Sequence, residues 1–172
     1  MKYGNVTLGR VEAVWNKLGG EEGVKRFLSG LTEVVPMERI INCNEDPFLM
    51  SHWKVAKHDH LGKLVWDASK VKLEYSSHKE GEGVSGNTLY GELSGKVLLN
   101  ANVLEFLLEN EHLIPDEWRR LKVYFWGTLY CLKDEPSETF VLYLCTVGEG
   151  WCRGTKRLTE TWESSWPTAV LN

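Results

Sequence analysis

The stretch from Asn100 to Leu158 constrains the fold more than any other, because a capped amphipathic helix there runs through a Pro-initiated turn into three aromatic-rich strands. Asn100 or Asn102 can cap the helix, and Asn102 with Glu105 has capping-box spacing. Val103, Leu104, Leu107 and Leu108 fall on one face, with Glu105 and Glu109 on the other. Pro115 suits the first position of a short second helix. Asp116 and Glu117 open it, and Arg119 and Arg120 close it where the helix dipole favours cations.

From Lys122 the period changes to two. Val123–Cys131, Thr139–Val147 and Trp151–Leu158 are rich in aromatic and β-branched residues and read as the strands of a meander. Gly148-Glu149-Gly150 reads as a three-residue hairpin loop, and Lys133–Glu138 as a longer one. That register gathers Tyr124, Trp126, Tyr130, Phe140, Leu142, Leu144 and Leu158 on one face, for the helix to cover. Tyr143, Trp151, Arg153, Thr155 and Arg157 take the other. A slip of one residue exchanges the faces.

Upstream, Leu8, Val11, Val14, Trp15 and Leu18 make a helical stripe ending at Gly19-Gly20. Val24, Phe27 and Leu28 make another, ending at Gly30 in the position of a left-handed cap. Leu31–Val35 is expected to be a short strand stopped by Pro36. A DNA-reading helix-turn-helix is disfavoured, since Glu21 and Glu22 open the second helix and repel phosphate. Val71–Ser76 and Thr88–Leu93 are expected to pair as strands, with Lys96–Leu99 extending the sheet. The expected fold is therefore α+β: an N-terminal helical hairpin (residues 1–35), then a largely antiparallel sheet covered by the Asn100–Glu111 helix and ending in the three-stranded meander (residues 36–172).

Two segments resemble stretches found together in a group of uncharacterised bacterial and phage-type proteins. One is the leader Asn16-Lys17-Leu18-Gly19-Gly20-Glu21-Glu22-Gly23-Val24-Lys25-Arg26-Phe27-Leu28-Ser29-Gly30. The other joins Leu113-Ile114-Pro115-Asp116-Glu117-Trp118, Phe125-Trp126-Gly127-Thr128-Leu129-Tyr130 and the closing Trp166-Pro167-Thr168-Ala169-Val170-Leu171. The resemblance implies a shared fold and a mobile-element setting. It supplies no activity and no catalytic residues.

Motifs narrow the function mainly by what they fail to complete. Gly81-Glu82-Gly83-Val84-Ser85-Gly86 spells the dinucleotide fingerprint, but the residues after it read as strand, where that chemistry needs a helix N-terminus. Gly91–Lys96 falls one residue short of P-loop spacing. There is no nucleophile elbow. The net charge of −4 disfavours a duplex-DNA binder, no apolar run is long enough for a membrane span, and Met1–Asn5 does not introduce a signal peptide. Cys43, Cys131, Cys145 and Cys152 are irregularly spaced. The expected register sets Cys145 and Cys152 on opposite faces, so all four are expected to be reduced thiols of a cytoplasmic protein.

Three readings of function follow. The first is a non-catalytic, cofactor-free cytoplasmic binding protein, in a phage or mobile-element accessory role. It takes a small anionic or planar, nucleotide-like ligand, or blocks a host protein. Indoles stack on planar ligands and guanidinium forks pair with phosphate, so its site is placed at Tyr143, Trp151, Arg153, Arg157, Trp162 and Trp166. The second is a metal-dependent, hydrolase-like enzyme centred on His52, His58 and His60, although Lys54, Lys57 and Lys63 interleave with these imidazoles and oppose a cation. From His52 to Lys79 six lysines face three acids, a surplus that attracts anions. The third is an adaptor that docks a protein through the N-terminal hairpin.

Overall fold

Two consecutive left-handed glycines, Gly19 (φ 88°) and Gly20 (φ 72°), fold the N-terminal residues into a helical hairpin. Helices α1 (Leu8–Leu18) and α2 (Gly20–Leu28) carry the two stripes, and neither buries a residue. The computed structural model describes residues 7–32, 39–79 and 83–172. The expected Leu31–Val35 strand lies largely outside them. The chain divides into two units, Met1–Glu38 and Arg39–Asn172.

The second unit is built around β7 (Val123–Leu132), buried along nearly its whole length. β8 (Thr139–Val147) and β9 (Gly150–Arg157) continue from it as the antiparallel meander. Two strands share the opposite edge of β7. β2 (Trp53–His58) runs antiparallel along its C-terminal half, and β11 (Thr168–Leu171) meets its N-terminal half in the one parallel pairing among the described residues, Thr168 with Tyr124. β11 also pairs with β4 (Val71–Glu74) and with β6 (Val97–Leu98). A separate two-stranded ladder joins β1 (Ile40–Asn42) to β3 (Lys63–Val65). This is the expected α+β class. No helix among the described residues is long and apolar enough to cross a membrane.

Helix α4 (Ala101–Glu109) covers one sheet face, packing Val103, Leu104 and Leu107 with Val123, Phe125, Tyr130, Phe140, Leu142 and Leu144. Asn100, not Asn102, is its cap: the Asn100 side chain accepts the Val103 N–H at 3.4 Å. Asn102 instead donates to the Asn42 and Glu45 carbonyls. Pro115 precedes a single 3-10 turn, Asp116–Trp118.

The opposite face packs Tyr124, Trp126, Leu129, Val141, Leu158 and Trp162. It is covered by α3 (Gly86–Glu92), where a strand over Thr88–Leu93 was expected. Ser85 starts the helix by accepting the Thr88 N–H at 3.2 Å, and β4 pairs with β11 instead.

Two register features redistribute the expected faces. The β8–β9 turn has two residues, Gly148 and Glu149, flanked by the Val147–Gly150 pair. Trp151, Arg153, Thr155 and Arg157 therefore fall on the α4 side beside Phe140, Leu142 and Leu144, and Leu158 falls on the other. The same shift sets Cys145 directly opposite Cys152 on one face, with their sulfurs 3.2 Å apart. In β7 the pairing jumps from Tyr124–Tyr143 to Leu129–Val141, which reverses the alternation. Tyr124 and Trp126 thus face α3, while Tyr130 faces α4. Gly127 sits in this bulge, where a Cβ would lie 2.6 Å from the Leu98 carbonyl oxygen. Only glycine lets the two backbones approach so closely.

Candidate functional site

The α3 side of the sheet carries a roomy concavity. A register shift in β2 between Val55 and Lys57 breaks the alternation there, sending Lys57 toward α3 and His58 toward α4. Lys57 donates to the Tyr90 hydroxyl at 2.5 Å and pairs with Asp59 at 3.1 Å. Burial alone would lower the pKa of this ammonium, but the hydrogen bonds to Tyr90 and Asp59 outweigh it and hold the pKa above its ordinary value.

Tyr90 is held by α3 against Trp126, with stacked rings 5.7 Å apart. Gly86 lets the start of α3 approach, since a Cβ would lie 2.6 Å from Trp162 Nε1 and 2.8 Å from Leu158 Cα. After α3 a turn through Gly95 (φ 80°) returns the chain and presents Lys96, which pairs with Glu74 at 3.2 Å. Hydrogen bonds from Lys72 and Lys96 hold the Glu74 carboxyl below its usual range.

Lys57, Asp59, Tyr90, Ser94, Lys96 and Leu98 line a pocket with about 410 Å³ of open space. Such a volume lies within the range of small-molecule sites. Leu93 and Lys96 also border a narrow slot of about 40 Å³, edged by Trp126, Trp162, Trp166 and Glu92. The large pocket admits a ligand body, and the slot admits only a thin edge of one.

The six residues predicted to form an aromatic and basic surface are divided between the two sheet faces by the β8–β9 register. On the α4 side Trp151 is buried beneath the Arg119 guanidinium, 5.4 Å from its ring. Arg153 pairs with Glu105 at 2.5 Å and lies 3.7 Å over the Phe48 ring. Arg157 is 2.6 Å from Glu138, an ion pair whose N–H is not aligned as a hydrogen bond. On the α3 side Trp162 is buried and donates to the Arg157 carbonyl at 3.2 Å. Trp166 carries Lys122 and Lys156 over its ring at 4.1 and 5.0 Å, and Lys122 also lies 5.7 Å over Tyr143. The six do not share one ligand surface. The tail tryptophans pack over Tyr124 on the α3 face, and of the six only Trp162 and Trp166 touch the slot.

The three imidazoles of the metal reading do not converge. His58 lies in a structural knot: Thr128 Oγ1 accepts the Ala101 N–H at 3.0 Å and gives its own proton to His58 Nδ1 at 2.8 Å, since Nε2 must carry the ring hydrogen to meet a carbonyl oxygen. His58 Nε2–H then donates to the Cys43 carbonyl at 3.1 Å, and both ring nitrogens are occupied. Burial, chiefly, keeps this ring's pKa below its ordinary value. His60 is edge-on to His58 at 5.2 Å. His52 precedes β2 and is set off by roughly 15–20 Å of extended chain. Among the described residues no group of three or more His, Cys, Asp or Glu side chains is placed to hold a metal ion.

The dinucleotide-like glycines do precede a helix, contrary to expectation. Gly81 and Glu82 lie outside the described residues, however, and β5 (Val84–Ser85) pairs antiparallel with β10 (Thr161–Trp162) instead of entering a parallel βαβ unit. Sequence reasoning missed the pocket itself. Lys57 belonged to the noted lysine surplus, but Tyr90 and Lys96 join it only once Thr88–Leu93 is helical.

Comparison with family models, curated proteins and solved structures finds no match, so the geometry alone carries the functional argument.

Proposed function

We propose that the protein binds a small anionic, nucleotide-like ligand in the pocket between Lys57 and Lys96. The observation that carries this reading is a pocket of about 410 Å³ lined by two lysines and Tyr90, with an indole-edged slot that shares Leu93 and Lys96 with it. The anionic group competes with Asp59 and Glu74 for the two ammoniums, and a planar edge enters the slot beside Trp126 and Trp166. Charge-assisted hydrogen bonds of this type contribute about 1.5–3 kcal/mol each. Lys96→Ala is therefore expected to weaken binding about tenfold or more, as is Lys57→Ala. Tryptophan fluorescence titration with adenosine monophosphate, and with inorganic phosphate for the anion alone, measures this. Arg153→Ala and Arg157→Ala are expected to leave affinity unchanged, because both guanidiniums are committed on the α4 side. No saturable binding of either probe, or a loss confined to the two arginine variants, refutes the assignment.

A second reading, docking of a protein partner through the α1–α2 hairpin, is favoured by the exposure of Leu8 (87%) and Leu28 (77%) along its stripes. Leu28→Asp is expected to abolish co-purification of such a partner without changing nucleotide affinity.

A further inference from the structure

We propose that Cys145 and Cys152 form a redox-active dithiol that closes to an intramolecular disulfide when a low-molecular-weight disulfide oxidises it. The two residues are cross-strand partners in β8 and β9, and their sulfurs are 3.2 Å apart. Opposed residues of an antiparallel pair have Cα atoms about 4.5–5.5 Å apart, inside the range that disulfides span. Closing the bond to about 2.05 Å needs a sulfur movement of about 1 Å, within reach of a side-chain rotation.

Both thiols are half-buried, and β9 is the end strand of the sheet, so an oxidant can reach them from its free edge. The two-residue turn holds the partners in register, so ring closure orders almost no additional chain. A zinc site is the competing use of two thiols. It needs further ligands, and among the described residues no third His, Cys, Asp or Glu joins the pair. Burial and the adjacent Cys152 thiol push Cys145 up to about 11, which slows exchange at neutral pH without preventing it.

The exchange balances with oxidised glutathione as the co-reactant. One cysteine thiolate attacks a glutathione sulfur, breaking the glutathione S–S bond, forming a mixed disulfide and releasing one glutathione thiolate. The second cysteine thiolate then attacks the protein sulfur of that mixed disulfide, forming the Cys145–Cys152 bond and expelling the second glutathione. The protein loses two protons and two electrons, and glutathione disulfide is reduced to two thiols.

The test treats the reduced, folded, full-length protein with oxidised glutathione at about pH 8.5, where thiolate is more abundant. Intact mass, thiol counting after unfolding in non-reducing denaturant and peptide mapping are then recorded. The expected result is a loss of two hydrogens and a fall from four free thiols to two. Cys145 and Cys152 should map to one linked peptide pair, with Cys43 and Cys131, both buried, still reduced. Dithiothreitol should restore the original mass. Cys145→Ser and Cys152→Ser should each stop at a stable glutathione adduct. Wild-type protein that accumulates the adduct without closing, that remains unmodified, or that links either cysteine to a different partner overturns the proposal. Since these outcomes are read on wild-type protein, a serine variant that fails to fold does not affect them.

Discussion

Asn100 is fully buried, and its amide ties three segments together, so substitutions there separate two roles of one side chain. Its oxygen caps α4 through Val103 N–H, while its nitrogen donates to the Cys43 and Asp59 carbonyls at 2.9 Å each. Asn100→Ala removes the cap, worth about 1 kcal/mol. It also strips a donor from two carbonyls, of which the Cys43 oxygen keeps His58 Nε2 as a partner. Loss of these bonds and the desolvation left at the Asp59 oxygen add about 2 kcal/mol, for a total near 3 kcal/mol. Asn100→Asp is the sharper perturbation. Aspartate caps a helix as well as asparagine does, so the capping role survives. The former donor becomes a carboxylate oxygen set against two carbonyl oxygens, and the expected loss is at least the same ~3 kcal/mol. Urea unfolding of wild type and both variants, followed by far-UV circular dichroism, measures the differences. If Asn100→Asp unfolds within about 1 kcal/mol of wild type while Asn100→Ala loses only about 1, the side chain is a cap and nothing more, and the three-segment account fails.

The remaining predictions concern the bulges, the knot and the hairpin. Gly127→Ala forces a methyl to within 2.6 Å of the Leu98 carbonyl oxygen and 2.9 Å of Leu99 carbon, backbone atoms that cannot move aside cheaply. A loss of about 2–4 kcal/mol in denaturant titration is expected, and a neutral result would show that β7 does not need its bulge. His58 has a folded pKa below its ordinary 6.5, so the unfolded chain takes the proton first. Its contribution to stability is complete above about pH 6.5 and is lost as pH falls through the lower, folded value. Melting temperatures across pH 5 to 8 should therefore fall on the acid side of about 6.5, less steeply in His58→Gln. Removing residues 1–38 should subtract helical ellipticity and leave the cooperative transition of residues 39–172 in place. Broad, non-cooperative melting of the shortened chain would contradict the division into two units.

Local chemistry was legible wherever a short stretch dictates its own conformation. The stripe and cap of α4, the glycine break between α1 and α2, and the β-branched, aromatic runs of β7, β8 and β9 follow from residues within a few positions of one another. Those signals sufficed for the α+β class and for a helix covering one sheet face. The Thr88–Leu93 segment shows where they stop. Its pattern suits either state, and the Ser85 cap, with Gly86 letting the helix start pack against Trp162 and Leu158, favours helix.

Facing was the part that only the assembled sheet decided. A strand's side chains alternate with a period of two, so one residue more or less in a turn or bulge carries every following side chain to the other face. The two-residue turn at Gly148-Glu149 sends Arg153 and Arg157 to the α4 side and brings Cys145 against Cys152. The β2 shift turns Lys57 toward Tyr90, and the β7 bulge parts Trp126 from Tyr130. The β2 shift and the β7 bulge are fixed by long-range pairing, Gly127 against Leu98–Leu99 and β2 against β7, between segments far apart in the chain, whereas the β8–β9 shift is fixed by the length of its own turn. Residue types, propensities and caps were thus written locally, the thiol pair follows from whether the β8–β9 turn takes two residues or three, and the pocket exists because distant backbones set the register.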